Sequence, residues 1–155
     1  MPSGFRIAKA RHARNAFDGK GARRYGGRWN SPGTPLVYTS ATRALAALEL
    51  LVHLQASELL TGYVLVEATF DAALVERLGP VRLPRDWKAF PSPAVLQEIG
   101  DRWAAERRSA VLEVPSAVVP AESNFLLNPL HPDFTKISVG RSGRFAFDAR
   151  LGPGP

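Results

Sequence analysis

The chain has 155 residues, 45% hydrophobic and 22% charged, which describes one globular domain with a sizeable core and no room for two ordinary ones. It has no cysteine and three scattered histidines, which excludes disulfides and thiolate metal sites and leads us to expect no structural metal. Lysine and arginine number 20 against 14 acidic residues, a net charge of +6. That balance points to an anionic partner: nucleic acid, a phosphorylated small molecule or an acidic protein surface.

In chain order, residues 5–8 read as a short opening strand. Residues 9–34, rich in glycine and cations and without periodicity, read as a long loop. Eight cations (Arg6, Lys9, Arg11, Arg14, Lys20, Arg23, Arg24 and Arg28) precede Trp29 against Asp18 alone. Residues 36–39 form a short strand, after which Ser40 is placed to cap a helix from Thr42 to about Gln55. Residues 62–70, β-branched and aromatic, give the clearest strand. A proline-punctuated loop follows (Pro80, Pro84, Pro91, Pro93), then a helix over residues 94–107 with Gly100 as a candidate break. Strands are expected at 110–114 and 117–119 around a kink at Pro115-Ser116, an ordered loop at 122–133, and a last strand at 144–148. A disordered tail is expected at 152–155. The longest apolar run, near residues 44–54, is interrupted by Glu49 and too short to span a bilayer. No apolar signal core follows the basic N-terminus, so a cytoplasmic location and no membrane partner are expected. Helices and strands interleave without a βαβ rhythm, which predicts a single α+β domain with a mainly antiparallel sheet.

Three stretches carry chemistry. In Gly26-Gly27-Arg28-Trp29-Asn30, two glycines would let the backbone approach a ligand and aim a permanent cation at it. Tyr38 and Glu49 follow on separate elements. A cation, a ring and a carboxylate are what holding a dinucleotide by its phosphates and breaking a bond to its ribose require. Thr42, Glu49 and His53 share one polar stripe of an otherwise apolar helix. Periodicity alone reads that stripe as a solvent face; the alternative is a cleft wall, with Arg28 or a ribose opposite the carboxylate. Each residue also has a plain structural reading. Tyr38 would be core, Arg28 would close a turn, Trp29 would anchor its loop, Val114-Pro115-Ser116-Ala117 would be a strand kink, and Asn124 and Asn128 would satisfy loop backbone groups. Phosphate-loop, dinucleotide-fold and nucleophile-elbow patterns are absent. The basic segment lacks the interleaved aromatics of a nucleic-acid stacking surface and any helix-turn-helix pattern.

Taken in order, Phe5-Arg6-Ile7, Gly26 to Asn30, Val37-Tyr38-Thr39-Ser40, Ala47-Leu48-Glu49, Val114 to Ala117, Glu122 to Phe134 and Phe147 to Leu151 resemble the RES-domain toxins of bacterial RES–Xre toxin–antitoxin pairs. The resemblance covers nearly the whole chain, residues 1–151, except 76–108, where no family motif can be placed. It implies an ADP-ribosyltransferase-like fold, a split, mostly antiparallel sheet with flanking helices around an NAD cleft. It also implies NAD+ as substrate, cleaved at the nicotinamide–ribose bond by hydrolysis or by phosphorolysis with inorganic phosphate as co-substrate; some members transfer ADP-ribose to a protein instead. The family's Arg–Tyr–Glu constellation falls on Arg28, Tyr38 and Glu49 and its serine on Ser116, with Arg6, Trp29 and Asn124 added to the dinucleotide-binding set. The implied partners are an Xre-family helix-turn-helix antitoxin and a second copy of the chain, with no direct contact to nucleic acid. A basic nucleic-acid-binding module remains the alternative from another class.

Overall fold

The computed structural model describes residues 1–54, 61–79 and 82–152. Eight strands form one sheet: β1 (Ser3–Lys9), β2 (Val37–Ser40), β3 (Tyr63–Thr69), β4 (Val75–Arg77), β5 (Val111–Pro115), β6 (Ser123–Leu127), β7 (Ser138–Val139) and β8 (Gly143–Phe145). Their order is β4-β5-β6-β2-β1-β3-β7, with β8 also on β3, and every pairing is antiparallel except β4 on β5. The α+β architecture with a mainly antiparallel sheet is therefore the observed one.

The ladder is uneven where it matters. β1 pairs with β3 through seven positions, and β2 pairs with β6 through four. Between β1 and β2 a single pair, Phe5 with Ser40, is in register. Beyond that pair the strands part, and the Arg6 side chain, not a ladder bond, reaches the Tyr38 carbonyl at 3.1 Å. The sheet is split there.

Side chains alternate across a strand, so Phe5, Ser40, Asn124 and Val114, which lie in one row, share a face. Two helices cover that face. Helix α2 (Arg43–Leu51) packs Ala46 against Phe5, Ile7 and Tyr63 on the β1–β3 half. Helix α3 (Ala94–Glu106) packs Leu96 and Trp103 on Leu112, Val114 and Leu126 of the β5–β6 half. The opposite face carries a third cluster built on Val37, Phe125, Leu127, Val111 and Phe70. The split therefore opens between the two helices.

Several expectations are corrected. The cap of α2 is Thr42, whose hydroxyl accepts from the Leu45 amide, because Ser40 is spent in the sheet. That helix ends at Leu51, and Gln55 lies outside the described residues. The loop expected over 9–34 contains a 3₁₀ turn at Ala10–Asn15 and a short helix, α1 (Lys20–Tyr25), which ends on Gly26 at φ 75°. Within the proline-rich stretch (Pro80 lies outside the described residues) the sheet gains β4 at its edge. Residues 117–119 are not a strand, since the Val118 and Val119 amides turn back to the Ser116 hydroxyl at 3.1 and 3.0 Å. The loop expected over 122–133 begins with β6, an interior strand flanked by β2 and β5. The last strand is Gly143–Phe145, and β7 precedes it. Helix α3 runs unbroken through Gly100, because a Cβ there would overlap the Trp29 carbonyl oxygen. Residue 152 closes a 3₁₀ turn at Ala149–Leu151; the rest of the expected tail, 153–155, is outside the described residues.

Candidate active site

A cleft of about 410 Å³ lies over the split. Arg6, Arg28, Tyr38, Glu49 and Asn124, from five separate segments, line it, together with His53 and the end of α1. Of the polar stripe, Glu49 and His53 thus line a concavity, while Thr42 stays exposed as the helix cap. Its carboxylate is held in place. The Ser116 hydroxyl and the Asn124 side-chain amide both donate to Glu49 Oε1, at 2.7 and 2.6 Å. Ser116 is fully buried beneath the carboxylate, and its oxygen also accepts from the two amides noted above, so its proton has a fixed direction. Among the described residues no donor is paired with Oε2, which is left for a ligand.

Arg28 enters from the other wall. Residues 26–30 form a tight turn closed by the Gly27 amide on the Asn30 carbonyl at 2.9 Å. Of the two residues at its tip, Trp29 goes into the core at 2% exposure, and Arg28 points to the cleft. Trp29, expected to bind the ligand, thus anchors the loop from the core while also lining the cleft. Gly26 and Gly27 line the cleft as well. A Cβ on Gly27 would meet the Tyr38 hydroxyl at 2.6 Å, so the missing side chain makes room for the tyrosine.

Tyr38 serves the same turn. Its hydroxyl accepts from the Trp29 amide at 3.0 Å and donates to Asn30 Oδ1 at 2.5 Å. Burial pushes its pKa well above the ordinary phenol value, opposed mainly by the Trp29 amide bond. Its hydroxyl is therefore a positioning group, and its ring forms part of the cleft floor.

The segment without a family motif builds the rest of the mount. Gln97 Nε2 donates to the carbonyls of Gly27 and Asn30 at 3.0 and 3.2 Å, and Ser92 Oγ donates to the Arg28 carbonyl at 2.9 Å. Asp101 accepts from the Ser31 amide and hydroxyl. Arg28 Nη1 donates to the Trp87 and Ala89 carbonyls at 2.8 and 3.0 Å, which fixes its plane, and its Nε and Nη2 have no partner among the described residues. Desolvation draws the Arg28 pKa down, and the Glu49 carboxylate is the largest influence raising it. The two charges sense each other across the opening. Sequence reasoning missed Gln97, Asp101 and Ser92, since ordinary polar residues on a helix and a loop carry no local signal of what they hold.

Arg6 and Asn124 carry the only two buried side-chain polar atoms without a partner among the described residues, Arg6 Nε and Asn124 Oδ1. One is a donor and one an acceptor. A buried unpartnered polar atom is costly, and burial lowers the Arg6 pKa, with Asp18 only partly offsetting it. Both residues line the cleft, although these two atoms themselves are closed off from it. Asn128, by contrast, serves backbone alone, donating to the Ala104 carbonyl and accepting from the Leu130 amide.

Comparison with known proteins converges on one group. The RES domain family matches residues 4–148. "Toxin Res" of Yersinia enterocolitica is 39% identical over 148 residues, covering 95% of this chain and 97% of the relative. "Prs ADP-ribosylating toxin" of Sphingobium sp. (strain YBL2) is 40% identical over 152 residues, with 95% and 94% covered. Among solved structures, a chain of the M. tuberculosis MbcT-MbcA toxin–antitoxin complex superposes with a TM-score of 0.76 over 94% of this chain and 84% of that one. At 20% identity, that last likeness is one of fold.

Proposed function

This chain belongs to the RES domain family, and from that membership we propose that it is the toxin of a toxin–antitoxin pair, acting by cleaving the nicotinamide–ribose bond of NAD+. The observation that carries the reading is the pairing, across one cleft, of the Arg28 guanidinium with a Glu49 carboxylate whose Oε1 is doubly held and whose Oε2 is free. When the C–N bond breaks, its electron pair leaves with neutral nicotinamide and positive charge builds on the ribose. A carboxylate fixed beside that ribose stabilises the developing cation more than the ground state, which is what raises the rate. Arg28 pairs with the pyrophosphate, its planar fork matching phosphate oxygens. Arg6 and Asn124 line the same cleft beside the substrate. A nucleophile then adds to the ribosyl cation and loses a proton; water and inorganic phosphate both fit this scheme. The natural partner is an antitoxin that covers the cleft.

A second reading, transfer of ADP-ribose to a protein side chain, is favoured by the name of the Sphingobium relative. The nucleic-acid reading has only charge behind it, because the arginine-rich stretch folds into α1 and a 3₁₀ turn beside the cleft.

The test is chromatographic. Purified protein incubated with NAD+, with and without phosphate and candidate proteins, is expected to release nicotinamide. Glu49→Gln is expected to slow release about 100- to 1,000-fold without changing the melting temperature by more than a few degrees. Nicotinamide release unaffected by Glu49→Gln would overturn the proposal, and label on protein would select the transfer reading.

A further inference from the structure

Resting on the NAD+ reading above, we infer that Tyr25, with Arg24 beside it, forms the subsite for the adenine base at the rim of the cleft. Tyr25 and Phe90 are the two strongly exposed aromatic rings among the described residues, at 75% and 81%. Of the two, Tyr25 lines the cleft. A phenol ring left in water beside a cavity offers a stacking face, since every base has a π-face to meet it.

The ring stands on a rigid base. The Ala22 carbonyl, one turn before it, accepts from the Gly26 amide and from Asn30 Nδ2, both at 2.8 Å, and the Arg23 carbonyl accepts from the Gly33 amide at 2.7 Å. The backbone reverses right after Tyr25, at Gly26, so the ring projects from a fixed corner. The Arg24 guanidinium lies 5.3 Å from the ring centroid. It polarises the ring and places another cation at the entrance for the pyrophosphate of the substrate.

Substrate polarity decides which end lies here. The scissile ribose belongs at Glu49, where Ser116 and Asn124 hold the carboxylate. The phosphates belong at Arg28, three residues beyond Tyr25 on the opposite wall from α2. The remaining piece of a dinucleotide is its other base, and the α1 end of that wall is where it arrives. Phe90 is the rival platform, but its ring is turned toward the His53 ring, 6.4 Å away, and does not line the cleft.

The experiment measures KM and kcat for nicotinamide release from NAD+ and from nicotinamide mononucleotide, which lacks the adenosine half. Wild type is compared with Tyr25→Ala, Tyr25→Phe and Phe90→Ala. Tyr25→Ala is expected to raise KM for NAD+ about tenfold, the scale of one base–aromatic stack. Its kcat should change less than about twofold, and KM for the mononucleotide should hold. Tyr25→Phe should restore the wild-type value. An equal rise for both substrates, no rise, or a rise confined to Phe90→Ala would overturn the assignment. A calorimetric titration with ADP-ribose supplies a readout independent of cleavage. Should wild type leave NAD+ intact, the proposed reaction fails, while the subsite is still decided: about tenfold weaker ADP-ribose binding by Tyr25→Ala supports it, and equal affinity or no binding by wild type sinks it.

Discussion

Arg6 sits in the split between β1 and β2 with a hydrogen bond from Nη1 to the Tyr38 carbonyl and an unpartnered buried Nε. No carboxylate lies within ion-pair distance of it among the described residues. Removing a buried charge that is short of partners is often neutral or stabilising when an apolar side chain of similar volume replaces it. Binding sites commonly retain such groups at a cost in stability. Arg6→Met is therefore expected to leave the melting temperature unchanged or raise it, while KM for NAD+ rises about tenfold through the lost donor. Thermal unfolding and steady-state kinetics on the same preparation check this. A melting point lowered by several degrees with KM unchanged would mean that Arg6 is only a wedge. Glu49 has the opposite status, since its partners Ser116 and Asn124 come from β5's end and from β6, far along the chain. The residue types at both positions are readable from sequence. That one accepts from the other is not, because their contact spans 67 to 75 residues.

At the scale of elements, α3 is the mount for the Arg28 turn. Gly100 lets the helix press against the Trp29 backbone, while Gln97 and Asp101, on either side of it, tie down Gly27, Asn30 and Ser31. In an open helix, glycine to alanine gains about 1 kcal/mol of propensity. Here the new methyl group would overlap a backbone carbonyl that cannot swing aside, and overpacking of that kind costs about 1–3 kcal/mol. The overlap should win. Gly100→Ala is expected to lower the melting temperature by several degrees and to slow nicotinamide release, because the turn carrying Arg28 is displaced. A variant more stable than wild type would show that α3 and the turn are not in contact. The sequence suggested a break at Gly100 because glycine weakens helices on average; the close approach that requires it is made by the distant Trp29.

At the scale of the molecule, the charge of +6 is not a uniform coat. Arg6 and Arg28 line one opening, and the α1 cations sit on the helix whose end borders it, so the pyrophosphate of the proposed substrate would be drawn there before contact. Raising the salt to ~1 M shortens the screening length to about 3 Å, and KM for NAD+ is expected to rise at least about threefold with kcat little changed. A KM flat with salt would place the cations outside the reach of the substrate. Among the described residues no helix is long and apolar enough to cross a membrane.

What the residues alone determined is local. β1, β2, β3, α2 and α3 each carry their own hydrophobic period, and the ordered series of segments from Phe5 to Leu151 was enough to name a family. Elements whose character is borrowed from neighbours did not show. Strand β6 reads as a loop until β2 and β5 flank it, and β4 exists because β5 offers it a parallel edge. The direction of the Glu49 stripe was decided only by tertiary structure. A polar stripe has the same 3.6-residue period whether it faces water or a cleft, and only the parting of β1 from β2 beneath it makes the difference.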